Sequence, residues 1–137
     1  MTDTLHSQQA ESAAVPTRLT QAITPLVEQH PQHSGVYPLS EGLDAFAARY
    51  QLIALAEKTL DIQYYIWQND LSGRLLFSAL LAAAGRGVRV RLLLDDNNTL
   101  GLDRTLSELN RHPLIEVRLF NPCLLYTSDA ADDGESV

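Results

Sequence analysis

Two adjacent carboxylates, Asp95 and Asp96, close the apolar run Val88–Leu94 and lead into Asn97 and Asn98. A pair of acids at the end of a buried parallel strand can hold magnesium and, through it, a phosphate. The same four residues are also good turn material, because short Asp and Asn side chains bond their own backbone. Arg89 and Arg91 alternate with Val88, Val90 and Leu92. They could meet a phosphate, but a period of two places them on the polar face of a half-covered strand. Tyr64, Tyr65 and Trp67 could line a pocket or sit at a lipid interface, whereas burial preference places such aromatics in the core. His30 and His33 would need ligands from elsewhere to bind a metal, and read as loop histidines. There is no glycine-rich phosphate loop, since Gly85-Arg86-Gly87 follows a helix. Gly-x-Ser-x-Gly and His-Glu-x-x-His are absent too.

The elements that would position these residues follow from periodicity. Leu60–Trp67 is β-branched and aromatic, with Leu60, Ile62 and Tyr64 on one face. After Asp70, Ser72 and Gly73 offer turn and N-cap chemistry for a helix over about 72–86. Leu75, Leu76, Ala79, Leu80 and Ala83 form its buried stripe. Gly87 supplies the left-handed stop, and Val88–Leu94 resumes as a strand. Strand, helix and strand at this length make a parallel βαβ unit, whose functional loops lie beyond the C-terminal strand ends.

Around this unit, Thr17–His30 has a weak helical pattern interrupted by Pro25, and Val36–Leu39 is a short strand candidate. Ser40 would cap a helix over about 41–59 with Leu43, Phe46, Ala47, Tyr50 and Ala54 on its apolar stripe, and Lys58 inside it. A short helix over about 102–111 turns Leu102, Leu106 and Leu109 inward, before His112-Pro113 and a last strand, Ile115–Phe120. The predicted class is α/β, a parallel-type β-α-β-α-β-α-β layer with helices packed on the sheet.

The net charge of −7 over 137 residues is unevenly spread. Residues 36–122 carry ten acids against nine bases, whereas 123–137 carry four acids and no base. The near-neutral middle has no basic stripe for nucleic acid and no polybasic cluster for an anionic membrane. Cys123 is the one cysteine, so neither an intrachain disulfide nor a cysteine-based zinc site can form. The first residues lack a basic and an apolar signal region, and no apolar run reaches spanning length. The expected location is the cytosol, with peripheral contact to the inner membrane. Residues 1–35 read as a disordered or weakly helical lead-in and 36–122 as the folded domain.

The runs Tyr37-Pro38-Leu39, Leu43-Asp44-Ala45-Phe46-Ala47-Ala48-Arg49-Tyr50 and Leu60–Trp67 carry a resemblance. It continues through Asp70-Leu71-Ser72-Gly73-Arg74, Arg86–Asn98 and Ile115–Pro122. Over roughly residues 35–122 the chain resembles the N-terminal region of the phospholipase D superfamily, specifically bacterial cardiolipin synthase-like proteins. The resemblance implies a partial lobe of a bilobal phosphatidyltransferase, each lobe giving one His-x-Lys-x-x-x-x-Asp motif to a shared site. One histidine would attack the lipid phosphorus and form a phosphohistidine, while the other acts as general acid and base. Lysines would hold the phosphate charge, a phospholipid would be the substrate, and no metal or other cofactor would be required.

The chain departs from that pattern at the reactive residues. None of His6, His30, His33 and His112 is followed by lysine two positions on, and Lys58 is the sole lysine. No catalytic, cofactor-binding or metal-ligating residue carries over, and the chain is expected to be inactive, its second lobe missing. Cys123-Leu124-Leu125-Tyr126-Thr127-Ser128-Asp129-Ala130-Ala131-Asp132-Asp133 looks like a translated sequencing adapter, which makes residues 123–137 a non-native tail and the frame truncated. Two other classes fit the residues alone. One is a receiver-like or nucleotide-binding domain using Asp95 and Asp96 with magnesium; the other is an interaction module that pairs through an open sheet edge.

Overall fold

The computed structural model describes residues 15–122, and the readings placed on 1–14 and 123–137 lie outside the described residues. Two compact units divide between Val36 and Tyr37. The first contains α1 (Arg18–Glu28), which starts where the Thr17 hydroxyl accepts the Thr20 N–H at 3.1 Å. Pro25 lies inside this helix, and none of its residues is buried. His30 and His33 follow in an exposed turn. The expected strand at Val36–Leu39 does not form. Pro38 lacks a ladder donor, and no strand among the described residues pairs with these four residues.

The second unit runs α2 (Gly42–Leu55), β1 (Thr59–Tyr64), α3 (Leu71–Gly85), β2 (Arg89–Asp95), α4 (Asp103–Asn110) and β3 (Ile115–Phe120). The strands form one sheet in the order β1-β2-β3, and both pairings are parallel. The α/β class holds, with three strands among the described residues where the sequence predicts four. Each βαβ step is closed by local chemistry. At the start of α3 an Asp70 carboxylate oxygen accepts the Gly73 N–H at 2.8 Å and the Ser72 hydroxyl at 2.7 Å. At its end Gly87 takes φ +96°, so its N–H reaches the Ala84 carbonyl and that of Val88 the Ala83 carbonyl.

Alternation along the strands divides the sheet into two faces. Val90, Leu92 and Leu94 of β2 are fully buried, flanked by Leu60, Ile62 and Tyr64 on one side and Ile115 and Val117 on the other. Leu76, Ala79, Leu80 and Ala83 of α3, Ile53 of α2, and Leu106 and Leu109 of α4 complete a single core on that face. Burying each large aliphatic side chain contributes roughly 1.5–3 kcal/mol. The opposite face carries Asp61, Gln63, Arg89, Arg91, Glu116 and Arg118 and has no helix on it among the described residues.

Several predicted details are corrected. Leu75 is exposed, so the buried stripe of α3 loses that residue, and it gains Phe77 and Ala84. α2 is turned relative to the predicted stripe: Leu43 is 79% exposed, Ala47, Tyr50 and Ala54 are also exposed, and the buried seam ends in Ile53 and Ala56. It is satisfied by Phe46 and by Arg49, whose guanidinium lies 5.6 Å from the Tyr64 ring centroid. That helix begins at Gly42 with Glu41, not Ser40, at its cap, and stops at Leu55, which leaves Lys58 in the connection to β1. Strand β1 ends at Tyr64, three residues short of Trp67, because its ladder with β2 stops at Leu94.

Candidate functional site

The C-terminal ends of parallel strands bring Trp67, Asp70, Gly73 and Asp95–Thr99 to one side of the sheet. Trp67 leaves β1 and turns back into the core, where it is 5% exposed. It stacks on Phe77 with ring centroids 4.4 Å apart and meets Tyr64 edge-on at 4.8 Å. Of the three aromatics expected in the core, Trp67 is buried and Tyr64 half-buried, but Tyr65 is 72% exposed. Tyr65 falls on the bare face after the ladder has ended, so nothing covers it.

The turn after β2 is built by its own acids. The Asp95 carboxylate, 9% exposed, accepts the Asn97 N–H at 2.9 Å. Asp96 receives the Thr99 hydroxyl at its backbone carbonyl (2.9 Å) and at its carboxylate (3.3 Å). This is the loop-forming use of Asp-Asp-Asn-Asn, and it leaves the side-chain amide nitrogen of Asn98 buried without a hydrogen-bond partner. Among the described residues no three His, Cys, Asp or Glu side chains come together as a metal cluster. Beside Asp95, an open depression is lined by Gln63, Tyr65, Leu93 and Phe120.

The bare face is an ordered array of charge. Arg91 donates through Nε and Nη2 to the two Asp61 oxygens, each at 2.6 Å, and Glu116 lies beside it in register. Arg118 donates to Glu116 at 2.5 Å. The bidentate bond holds the Asp61 carboxyl below the usual carboxylate range and raises the Arg91 guanidinium. Arg89 and Arg91 therefore lie on the polar face, as their alternation predicts, and Arg91 is engaged with a carboxylate of its own sheet.

The histidines are not brought together in either unit. His30 and His33 lie in the first unit, with His33 Nδ1 3.0 Å from the Pro31 carbonyl oxygen. In the second unit His112 Nδ1 accepts the Leu114 N–H at 3.2 Å, which occupies the ring in holding the turn between α4 and β3. His6 lies outside the described residues. No nucleophile–base pair is formed among the described residues.

Three structurally decisive residues escape a motif search. Arg86 donates to the carbonyls of Ile53 and Ala54, which α2 leaves unpaired. Gly73 sits where no side chain fits. Asn110 bonds the edge of β3 through its side chain. Only Gly73 left a sequence signal, its spacing three residues after the capping Asp70.

The Asp70 cap makes a prediction. Its carboxyl is held below its ordinary value, first by the Gly73 N–H and then by the Ser72 hydroxyl. A depressed carboxyl contributes stability that is complete above the unfolded value of about 4 and is lost as pH falls through the folded value. The stability difference between the natural chain and Asp70→Asn is expected to be constant near neutrality and to shrink below about pH 4. Urea titrations across that range check it, and a difference that stays constant into acid would contradict it.

Comparison with known proteins places this architecture. Residues 50–128 match the family described as "Cardiolipin synthase, PLD-like domain". Over 105 residues the chain is 70% identical to cardiolipin synthase C of Escherichia coli K12, which covers 77% of this chain and 22% of that protein. An uncharacterised protein of Helicobacter pylori J99 is 46% identical over 99 residues, covering 70% of this chain and 19% of its own length. The chain thus spans about a fifth of the relatives it matches. Among solved structures, the archaeal chromatin protein TrmBL2, described for its mode of DNA binding, matches with a TM-score of 0.50 at 16% identity. That match covers 77% of this chain and 42% of TrmBL2, and is a likeness of fold.

Proposed function

This chain belongs to the cardiolipin synthase, PLD-like domain family, and from that membership we propose that it is the scaffold segment of a phosphatidyltransferase, inactive by itself. The observation that carries the reading is the joint one of 70% identity to a cardiolipin synthase with a chain that contains no His-x-Lys pair. The core supports the scaffold role, since its apolar residues are spent on holding three parallel strands to α2, α3 and α4. The acids at the strand end support it too, because they are engaged in shaping their own turn.

In the complete enzyme a histidine nitrogen attacks the phospholipid phosphorus and displaces the headgroup alcohol, whose oxygen takes a proton from a second histidine. The acceptor hydroxyl then attacks the phosphohistidine, returning a proton to that second histidine and releasing the first. Lysines offset the charge that builds on the phosphoryl oxygens. A bacterial phospholipid is the substrate, and the enzyme acts on it at the inner-membrane surface from the cytoplasmic side. No helix among the described residues is long and apolar enough to cross a membrane.

The test is a transfer assay on the chain alone, with vesicles of extracted bacterial phospholipid and mass-spectrometric detection of new phosphatidyl products. No product above the protein-free rate is expected. Turnover reproducibly above that rate would contradict the reading.

A further inference from the structure

Among the described residues Asp95 is the one charged side chain that is buried, and it meets no cation there. One of its carboxylate oxygens accepts the Asn97 N–H, and the other accepts nothing among the described residues. A carboxylate withdrawn from water with a single hydrogen bond carries a desolvation cost that a cation offsets. The depression beside it is open to such a group.

The walls of that depression select the kind of cation. Asp95 ends the central strand, paired in register with Phe120 of β3. Tyr65 follows the last paired residue of β1, one step past the pair of Tyr64 with Leu94. The acid is thus flanked by a phenol on one side and a phenyl ring on the other, carried by strands roughly 10 Å apart, two strand spacings. Both rings are largely exposed, and neither contacts another ring among the described residues. Gln63 adds an amide that has no partner there. None of the lining side chains is basic, so an anion such as phosphate is repelled. A metal ion would find one carboxylate only, since that of Asp96 takes the Thr99 hydroxyl and no three ligating side chains gather among the described residues. An organic ammonium brings what is missing: positive charge for the carboxylate, and polarised C–H groups for the ring faces.

We propose that Tyr65, Asp95 and Phe120 form a subsite for an organic ammonium group. The volume of about 270 Å³ admits a small headgroup and little more. Two sources carry such a group, a free amine and the headgroup of a phospholipid. The lipid source rests on the scaffold reading above, whereas the subsite rests on its own geometry. A scaffold in this sense holds a headgroup as well as the strands, and supplies no group that reacts with it.

The experiment is ligand-observed saturation-transfer NMR on the full chain with choline chloride as probe, at constant ionic strength. Saturable transfer to the choline methyl protons is expected, with none to glycerol. Asp95→Asn keeps an acceptor for the Asn97 N–H and removes the charge, and should weaken choline binding at least about tenfold. Tyr65→Ala alters an exposed side chain and should weaken it about fivefold. No saturable transfer, an undiminished signal in Asp95→Asn, or glycerol competing as well as choline would overturn the subsite. Sedimentation with phosphatidylcholine and with phosphatidylglycerol vesicles separates the sources. Binding confined to the former and displaced by choline assigns the lipid headgroup. Choline binding without vesicle binding keeps the subsite and assigns it to a free amine. A chimera of residues 15–122 with the remainder of E. coli cardiolipin synthase C separates the two readings. Transfer by the chimera without choline binding by the chain removes the subsite alone, and choline binding with an inactive chimera removes the scaffold reading alone.

Discussion

Gly73→Ala is expected to destabilise the second unit by about 3 kcal/mol, the upper part of the range for forcing a group into a packed site. A Cβ at this position would lie 2.1 Å from the Gln68 carbonyl oxygen and 2.9 Å from Trp67 Nε1. The first contact is with backbone, which cannot swing aside as a side-chain tip can. Relief would require moving either the start of α3 or the Trp67 ring from its stack on Phe77. Replacing glycine inside a helix ordinarily gains up to about 1 kcal/mol, and the overlap outweighs that gain here. Gly85 provides the contrast within the same helix, since a Cβ there meets nothing within 4 Å. Gly85→Ala is therefore expected to stabilise by roughly 0.5–1 kcal/mol. Urea unfolding followed by the fluorescence of Trp67, the only tryptophan, reads both variants. Midpoints shifted in the same direction would contradict this account of the helix start.

Arg86→Met is the second large effect, expected at about 2–3 kcal/mol from the loss of charge-assisted hydrogen bonds to backbone. Arg86 Nη2 lies 3.0 Å from the Ile53 carbonyl oxygen, 3.1 Å from that of Ala54 and 3.5 Å from that of Ala56. These carbonyls belong to the end of α2, where the last turn carries no basic residue of its own. One guanidinium from the end of α3 thereby satisfies the end of a helix some thirty residues earlier and fixes how the two cross. Methionine keeps the length of the stem and removes the donors. Arg86→Lys retains a charge without the planar fork and should recover about half of the loss. The same unfolding measurement checks it, and a methionine variant within about 0.5 kcal/mol of the natural chain would contradict the role given to Arg86.

The size of neither effect can be read from the pattern of residue types, and the reason is geometric. Periodicity reports which residues of an element share a face. It therefore reads Leu102, Leu106 and Leu109 as inward, and the alternation of β2, correctly. The rotation of that face against the rest of the protein depends on distant partners. In α2 the seam is set by how the helix docks on the rest of the core, with Arg49 over the Tyr64 ring, and it exposes Leu43 and buries Ile53 and Ala56. Local turn chemistry was legible for the same reason that periodicity was: Asp70, Gly87 and Asp95 act on residues within three positions of themselves. Arg86 reaching Ile53 and Asn110 reaching Val117 are contacts between elements, set by how helices dock. The family was legible at a third level, in runs of residues at Leu60–Trp67 and Arg86–Asn98 that no single property explains. Asp95 and Asp96 sit where a parallel sheet places its function, yet their side chains build the loop. The position is typical of a site, whereas the side chains found there shape their own turn.

The most direct test of the scaffold account is phosphatidyl transfer by the chimera of residues 15–122 with the remainder of E. coli cardiolipin synthase C. Its rate is compared with that of the parent synthase and with the chain alone on the same vesicles. The account predicts transfer within about tenfold of the parent synthase and none by the chain alone. A folded chimera that binds the vesicles but transfers nothing would contradict it, because a segment that serves only as scaffold should serve in its relative.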